Sequence, residues 1–307
     1  MKKTYRWLPV MALLAALCFT GSAHALESLT EGDGEALTEA VGKEPAEPFV
    51  VDDKTGTLMD YTGDEADVVI PEQVGDITVR AIGYSAFERA RTSGDDSAGL
   101  PAFSLRSVEL PETVMFIADG AFSDCKELET FVCRASLAAT GRNAFKGCTA
   151  LKEVRYEGGV KRIGRGCFED TDSLETVDFG EEPETMEENA FYRSGIRSLV
   201  LNVRYLARSA VNKCANLEEV HITDRTESIA SGAVSSCGAL SVICYETNDL
   251  SFLPGEGVFS EPADEVTIYV PAVVPEDNLD AVKRSVIWSP RQIQVTVEPG
   301  GCTRKKN

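Results

Sequence analysis

Histidine is nearly absent from this chain: its 307 residues hold two, His24 and His221. A Ser-His-Asp or Cys-His catalytic device in the body of the protein would have to use His221. No Cys-x-x-Cys pair occurs, nor His-Glu-x-x-His, Gly-x-Ser-x-Gly or a phosphate-cradling glycine loop. The spacings that hold zinc, activate a serine or grip a nucleotide are therefore missing. Basic residues are short too, 30 Lys and Arg against 50 Asp and Glu, a formal net charge of −20. A surface so charged repels DNA, RNA and anionic lipid. No Asn-x-Ser/Thr sequon is present. Carboxylates are so abundant that a pair such as Asp170 and Asp172 carries no metal signal, and neither a cofactor nor a metal is expected.

The amino terminus reads as an export signal. Lys2, Lys3 and Arg6 form a basic start, Leu8 to Phe19 is an apolar stretch, and Ala23-His24-Ala25 is a small-x-small cleavage site. The stretch is too short to span a bilayer comfortably. Residues 1–25 are thus a predicted signal peptide, with Leu26 the first mature residue. Its removal leaves 27 basic residues and a net charge of −23. Residues 26–48 carry seven carboxylates against Lys43 and few large apolar residues, which predicts a disordered leader.

A repeated phrase organises the rest. Ile163-Gly164-Arg165-Gly166-Cys167-Phe168 has counterparts at Ile82–Phe87, Ile117–Phe122, Thr140–Phe145, Met186–Phe191, Leu206–Val211 and Ile229–Val234. Its last position falls at 122, 145, 168 and 191, a period of 23, and then at 211 and 234, so one repeat is three residues short. A fixed period of this size marks a solenoid, whose rungs bury a common core only by stacking. After each phrase comes a leucine-type strand, as in Leu151-x-x-Val154-x-Tyr156 and Leu217-x-x-Val220-x-Ile222. Period-two alternation there means one buried face. The small-then-large Ala-Phe pair is read as a short helical turn that drops a ring into the core. The Gly or Ala after the first apolar residue is read as allowing a tight bend. Phe49–Val51 and Thr57–Tyr61 around a turn-rich link predict a β-hairpin.

These phrases resemble the BspA-like class of leucine-rich repeat, found in secreted and surface proteins, whose unit has the form LxxVxLPxxVxxIGxxAFxxCxxL. The resemblance covers residues 49–298. It implies an α/β leucine-rich-repeat solenoid of 23-residue rungs with parallel strands, short helical turns and β-rich caps. The N-terminal cap would be 49–74 and the C-terminal cap 246–298, where Ile268-Tyr269-Val270-Pro271, Val282 and Trp288 resemble a terminal rung. Residues 299–307 are a tail. The rungs at Ile196 and Leu206 are shortened, and Thr140 breaks the apolar ladder. Residues 88–102 are an insertion, either a projecting binding loop or a tolerated one.

Cys125, Cys148, Cys214 and Cys237 share one repeat position with Thr171 and Ser194, while Cys133 and Cys167 replace other inward residues. They are read as small buried core fillers with free thiols. Cys244 and Cys302 are the cysteines expected to be exposed. His221 is expected on the outward strand position, solvated.

The outward strand positions are the candidate ligand site: Glu153, Arg155, Thr176, Asp178, Glu219 and His221, expected to form a nearly flat polar strip without a pocket. It serves either as a partner-binding face or as a merely soluble one. The resemblance implies a secreted, non-catalytic binding or adhesion module for extracellular or host proteins, or glycans. Two alternatives stand beside it: a scaffold component of a surface assembly, and a glycan-active enzyme.

Overall fold

The computed structural model describes residues 48–84, 86–87, 90, 104–181, 183–247, 257–271, 276–286 and 294–299. The signal peptide, the leader up to residue 47, most of the 88–102 insertion, Trp288, Cys302 and the tail beyond Pro299 lie outside them.

Each rung contributes one strand to a front sheet and a two-residue strand to a back sheet. The front strands Ser107–Leu110, Thr130–Cys133 and Glu153–Tyr156 alternate their burial along the chain. They run parallel with in-register partners such as Val108 beside Phe131 and Phe131 beside Val154. Asp67–Val69 starts this sheet, pairing parallel with Ser107–Leu110. The back sheet has nine short strands, from Phe49–Val51 to Ser228–Ile229. The predicted hairpin forms its beginning, with Phe49–Val51 antiparallel to Thr57–Tyr61. Beyond it, each strand sits beside its equivalent one rung on, as Arg162–Ile163 does beside Thr185–Met186.

The Ala-Phe segments through Phe168 are turns, and in the later repeats the same position forms the short parallel strands Phe191–Tyr192, Val211–Asn212 and Val234–Ser235, which corrects the expectation of helical turns and of an α/β class. Two backbone positions in each rung decide this. Gly120, Asn143, Gly166, Asn189, Ser209 and Gly232 all have positive φ, as do Asp124, Gly147, Asp170, Arg193, Lys213 and Ser236 four residues later. Left-handed residues at this spacing cannot propagate a right-handed helix. Glycine, Asn and Asp, which adopt that conformation at least cost, fill many of these sites. Among the described residues the one α-helix is Glu276–Ser285.

These segments aim their phenylalanines inward, one above the next. Phe87 lies over Phe122 at 4.9 Å between ring centroids, and Phe168 over Phe191 at 5.0 Å. Thr140 is fully buried within this stack of rungs. Its hydroxyl donates to Arg162 O at 3.4 Å and accepts from Gly164 N at 3.3 Å, so the polar rung residue is satisfied. The six cysteines Cys125, Cys133, Cys148, Cys167, Cys214 and Cys237 are buried and carry no disulfide. Cys148 and Cys214 donate to the carbonyls of Phe122 and Phe191, one rung back.

Glycine after the apolar residue acts by close approach of two backbones. A Cβ on Gly141 would lie 2.3 Å from Asp119 N, and one on Gly164 would lie 2.6 Å from Gly141 O.

Candidate functional site

The front sheet is broken in its middle. One five-stranded sheet ends on Thr176–Asp178, and a second begins on Ser198–Leu201. Elsewhere the rungs are joined just before these strands, as by Lys152 N to Glu129 O at 2.8 Å, Glu175 N to Lys152 O at 2.9 Å and Glu218 N to Arg197 O at 2.8 Å. Among the described residues no such bond joins Arg197 to Glu175.

The short repeat explains the break. Six positions separate Phe168 from Leu174 and Val211 from Leu217, but five separate Phe191 from Ile196. Seven separate Phe179 from Met186 and Ile222 from Ile229, but five separate Leu201 from Leu206. Three missing residues remove about 10 Å of extended chain. The back strands stay paired across this rung, Thr185–Met186 with Tyr205–Leu206. The shortened connections therefore hold Ser198–Leu201 out of reach of Thr176–Asp178.

A cleft of about 740 Å³ opens between the two edges, lined among others by Val177, Phe179, Ile196, Leu199 and Val200. Glu175, Asp178 and Glu181 on one side and Arg197 on the other are charged and exposed. Val177 and Phe179 stay half-buried, whereas their counterparts Val154 and Tyr156 one rung earlier are fully buried. The missing neighbour strand accounts for the difference. The expectation of a flat strip without a pocket is corrected accordingly.

The six residues singled out from the sequence fall into two groups. Glu153 and Arg155 stand beside Thr176 and Asp178 in register, in the first sheet. Glu153 and Arg155 face solvent with half-exposed side chains and pair with each other at 3.4 Å. Asp178 accepts a hydrogen bond from Gly180 N at 2.9 Å. Glu219 and His221 belong to the second sheet, beyond the break, next to Ser198 and Val200.

His221 is not solvated, which corrects the sequence reading: it is 3% exposed. Its Nδ1 lies 2.8 Å from Glu246 Oε1 and its Nε2 lies 3.0 Å from Glu219 Oε1. Cys244, its in-register neighbour, is also buried, not exposed as expected, and is held in a disulfide. Glu219, His221 and Cys244 bring their donor atoms within 4.8 Å of one another. A sulfur committed to a disulfide offers no thiolate to a metal, and both ring nitrogens already face carboxylates. The arrangement is a buried hydrogen-bonded cluster.

Sequence reasoning missed Glu175, Val177, Phe179, Glu181, Arg197 and Leu199 as a group. The signal that could have found them was the three-residue deficit between Phe191 and Val211.

Parallel strands stacked repeat upon repeat define the protein as a repeat solenoid. The family of the BspA type leucine rich repeat region matches it in six copies over residues 102–197 and 196–262. The chain belongs to this family. A leucine rich cell surface protein from Faecalibacterium prausnitzii is similar at 18% identity, with 85% of this chain and 95% of that one covered and a TM-score of 0.37. A leucine rich repeat protein of T. pallidum is similar at 19% identity, with 83% and 100% covered and a TM-score of 0.46. The pneumococcal vaccine antigen PcpA is similar at 15% identity, with 76% and 89% covered and a TM-score of 0.37. No curated protein matches the chain.

Proposed function

We propose that this chain is a secreted binding or adhesion module, without chemistry of its own, whose front sheet takes an extracellular protein partner. One observation carries the reading: Glu153, Arg155, Thr176 and Asp178 form a contiguous polar patch on two paired strands. None of the four is buried. The patch is set on rigid stacked rungs, so a partner meets it with little ordering cost. Membership of a leucine-rich repeat family supports a binding role, and the basic-apolar-small-x-small start of the sequence supports export. The burial of His221 removes it from the proposed contact surface, and Glu219 with it, since Glu219 is engaged by that ring.

The test is a pull-down of the mature protein, starting at Leu26, against extracellular proteins, with a glycan array beside it. The triple change Glu153→Ala, Arg155→Ala and Asp178→Ala should leave melting unchanged, because none of the three is in the core, and should weaken capture at least tenfold. Undiminished capture by the folded triple variant would refute the assignment of the face.

A further inference from the structure

We propose that the break in the front sheet is a receiving slot for an extended basic peptide, which adds a β-strand to the open edges of Thr176–Asp178 and Ser198–Leu201. This deepens the binding role given above by naming the class of partner and a site that adjoins the patch, sharing Thr176 and Asp178 with it but not Glu153 or Arg155.

Three features support the slot. The first is backbone chemistry. Elsewhere in the two front sheets neighbouring strands satisfy each other's amides and carbonyls, but here two edges face a gap with no bond between them among the described residues. An unpaired parallel edge is a template for a further strand. The second is the floor. Val177 and Phe179 occupy core-facing positions of their strand, yet remain half-buried. An incoming strand, whose side chains alternate, would set every second residue on Val177 and Phe179 and complete their burial. The third is charge. Glu175, Asp178 and Glu181 rim the cleft against one cation, Arg197, which itself pairs with Glu218 at 3.1 Å. The whole chain carries −20. Such a field favours capture of a cationic segment and discriminates against an acidic one.

The volume is consistent with a short segment. About 740 Å³ falls in the range of sites that enclose small ligands and short peptide stretches, roughly 300–1,000 Å³. The back sheet continues unbroken behind the gap, so the opening is a fixed part of the solenoid. The acidic leader 26–48 is the wrong charge to fill it.

The probe is a synthetic eight-residue peptide of alternating valine and lysine, with capped ends. Its controls are the valine–glutamate counterpart and the same valine–lysine peptide N-methylated at alternate residues, which cannot extend a ladder. Binding is read by fluorescence anisotropy on the full mature chain, and amide exchange is read over residues 174–202. The valine–lysine peptide should bind, and both controls should bind at least tenfold more weakly. Amides of Thr176–Asp178 and Ser198–Leu201 should exchange at least tenfold more slowly in the complex. Glu175→Lys with Glu181→Lys, both exposed and outside the Glu153–Arg155 patch, should weaken binding at least tenfold and leave melting unchanged. Glu153→Ala with Arg155→Ala should leave peptide binding intact, so loss of the patch function and loss of the slot are read separately. Equal binding of the N-methylated peptide, or protection that appears elsewhere, would overturn the slot. So would protection of these edges that rises with protein concentration alone, since a second copy would then be the occupant.

Discussion

Phe145 lies flat on Phe168, with ring centroids 5.5 Å apart and planes within 9° of parallel. On its other side Phe122 stacks at 5.3 Å and 4°, and Phe131 makes a T-shaped contact with it at 4.7 Å. Each ring is fully buried. Such pairs add about 0.5–1.5 kcal/mol beyond area burial. Phe145→Ala and Phe168→Ala should each cost about 3–5 kcal/mol in denaturant unfolding. Wild-type-like midpoints would mean the rungs do not share this core.

Two glycines separate crowding from mere position. Gly141→Ala drives a methyl into the backbone of Ala118 and Asp119, which cannot yield as a side chain would. It should lose about 1–3 kcal/mol. Gly238→Ala meets nothing within 4 Å and should be neutral or gain about 0.5 kcal/mol through the unfolded chain. Paired thermal melts of the two variants check both signs.

The Tyr156 hydroxyl is buried without a hydrogen-bond partner. Its ring is nonetheless well used, meeting Phe131 edge-on at 6.0 Å and stacking on Phe179 at 6.4 Å. Tyr156→Phe keeps the ring and removes the orphaned group, and should stabilise by about 1 kcal/mol. A loss of stability on urea titration would show that the hydroxyl has a partner in solution.

Burial pushes the Cys133 and Cys167 thiols up to about 12 from 9.0, and pushes Cys148 up as well. Folded thiols therefore hold their protons where unfolded ones release them. Their contribution to stability is complete below about pH 9 and lost as pH rises toward about 12. Unfolding midpoints should fall across that window. Maleimide labelling of the native protein at pH 7 should miss the six buried thiols and reach all six after denaturation without reductant. Cys244 should stay unlabelled even then, because it is in a disulfide. With Cys18 expected to leave in the signal peptide, Cys302 is the partner to seek by non-reducing peptide mapping. A labelled Cys244 would contradict the bridge.

The sequence by itself determined the solenoid. The 23-residue spacing of Phe122, Phe145, Phe168 and Phe191 fixes a rung length, and alternation along Glu153–Tyr156 fixes which side of each strand is buried. Both are local patterns, so they are legible without coordinates. The thiols at Cys125, Cys148, Cys214 and Cys237 were legible for the same reason, as one position repeated in phase. Turn conformation was less so: Asn143, Gly166 and Asn189 carry the signal for left-handed backbone, but Ser209 and Arg193 adopt it with no residue preference to announce it.

The candidate site was decided by tertiary structure. Periodicity places Glu153, Arg155, Thr176, Asp178, Glu219 and His221 on one face, and assumes that every rung closes on the next. The three-residue deficit was visible, yet its effect depends on which sheet yields. The back strands keep their pairing, Met186 beside Leu206, while the front strands part between Asp178 and Ser198. Burial of His221 against Glu219 and Glu246 likewise depends on groups 25 residues apart meeting at 2.8 Å. An outward direction along a strand is a local property. Exposure is not, because it depends on what the rest of the chain lays against that strand.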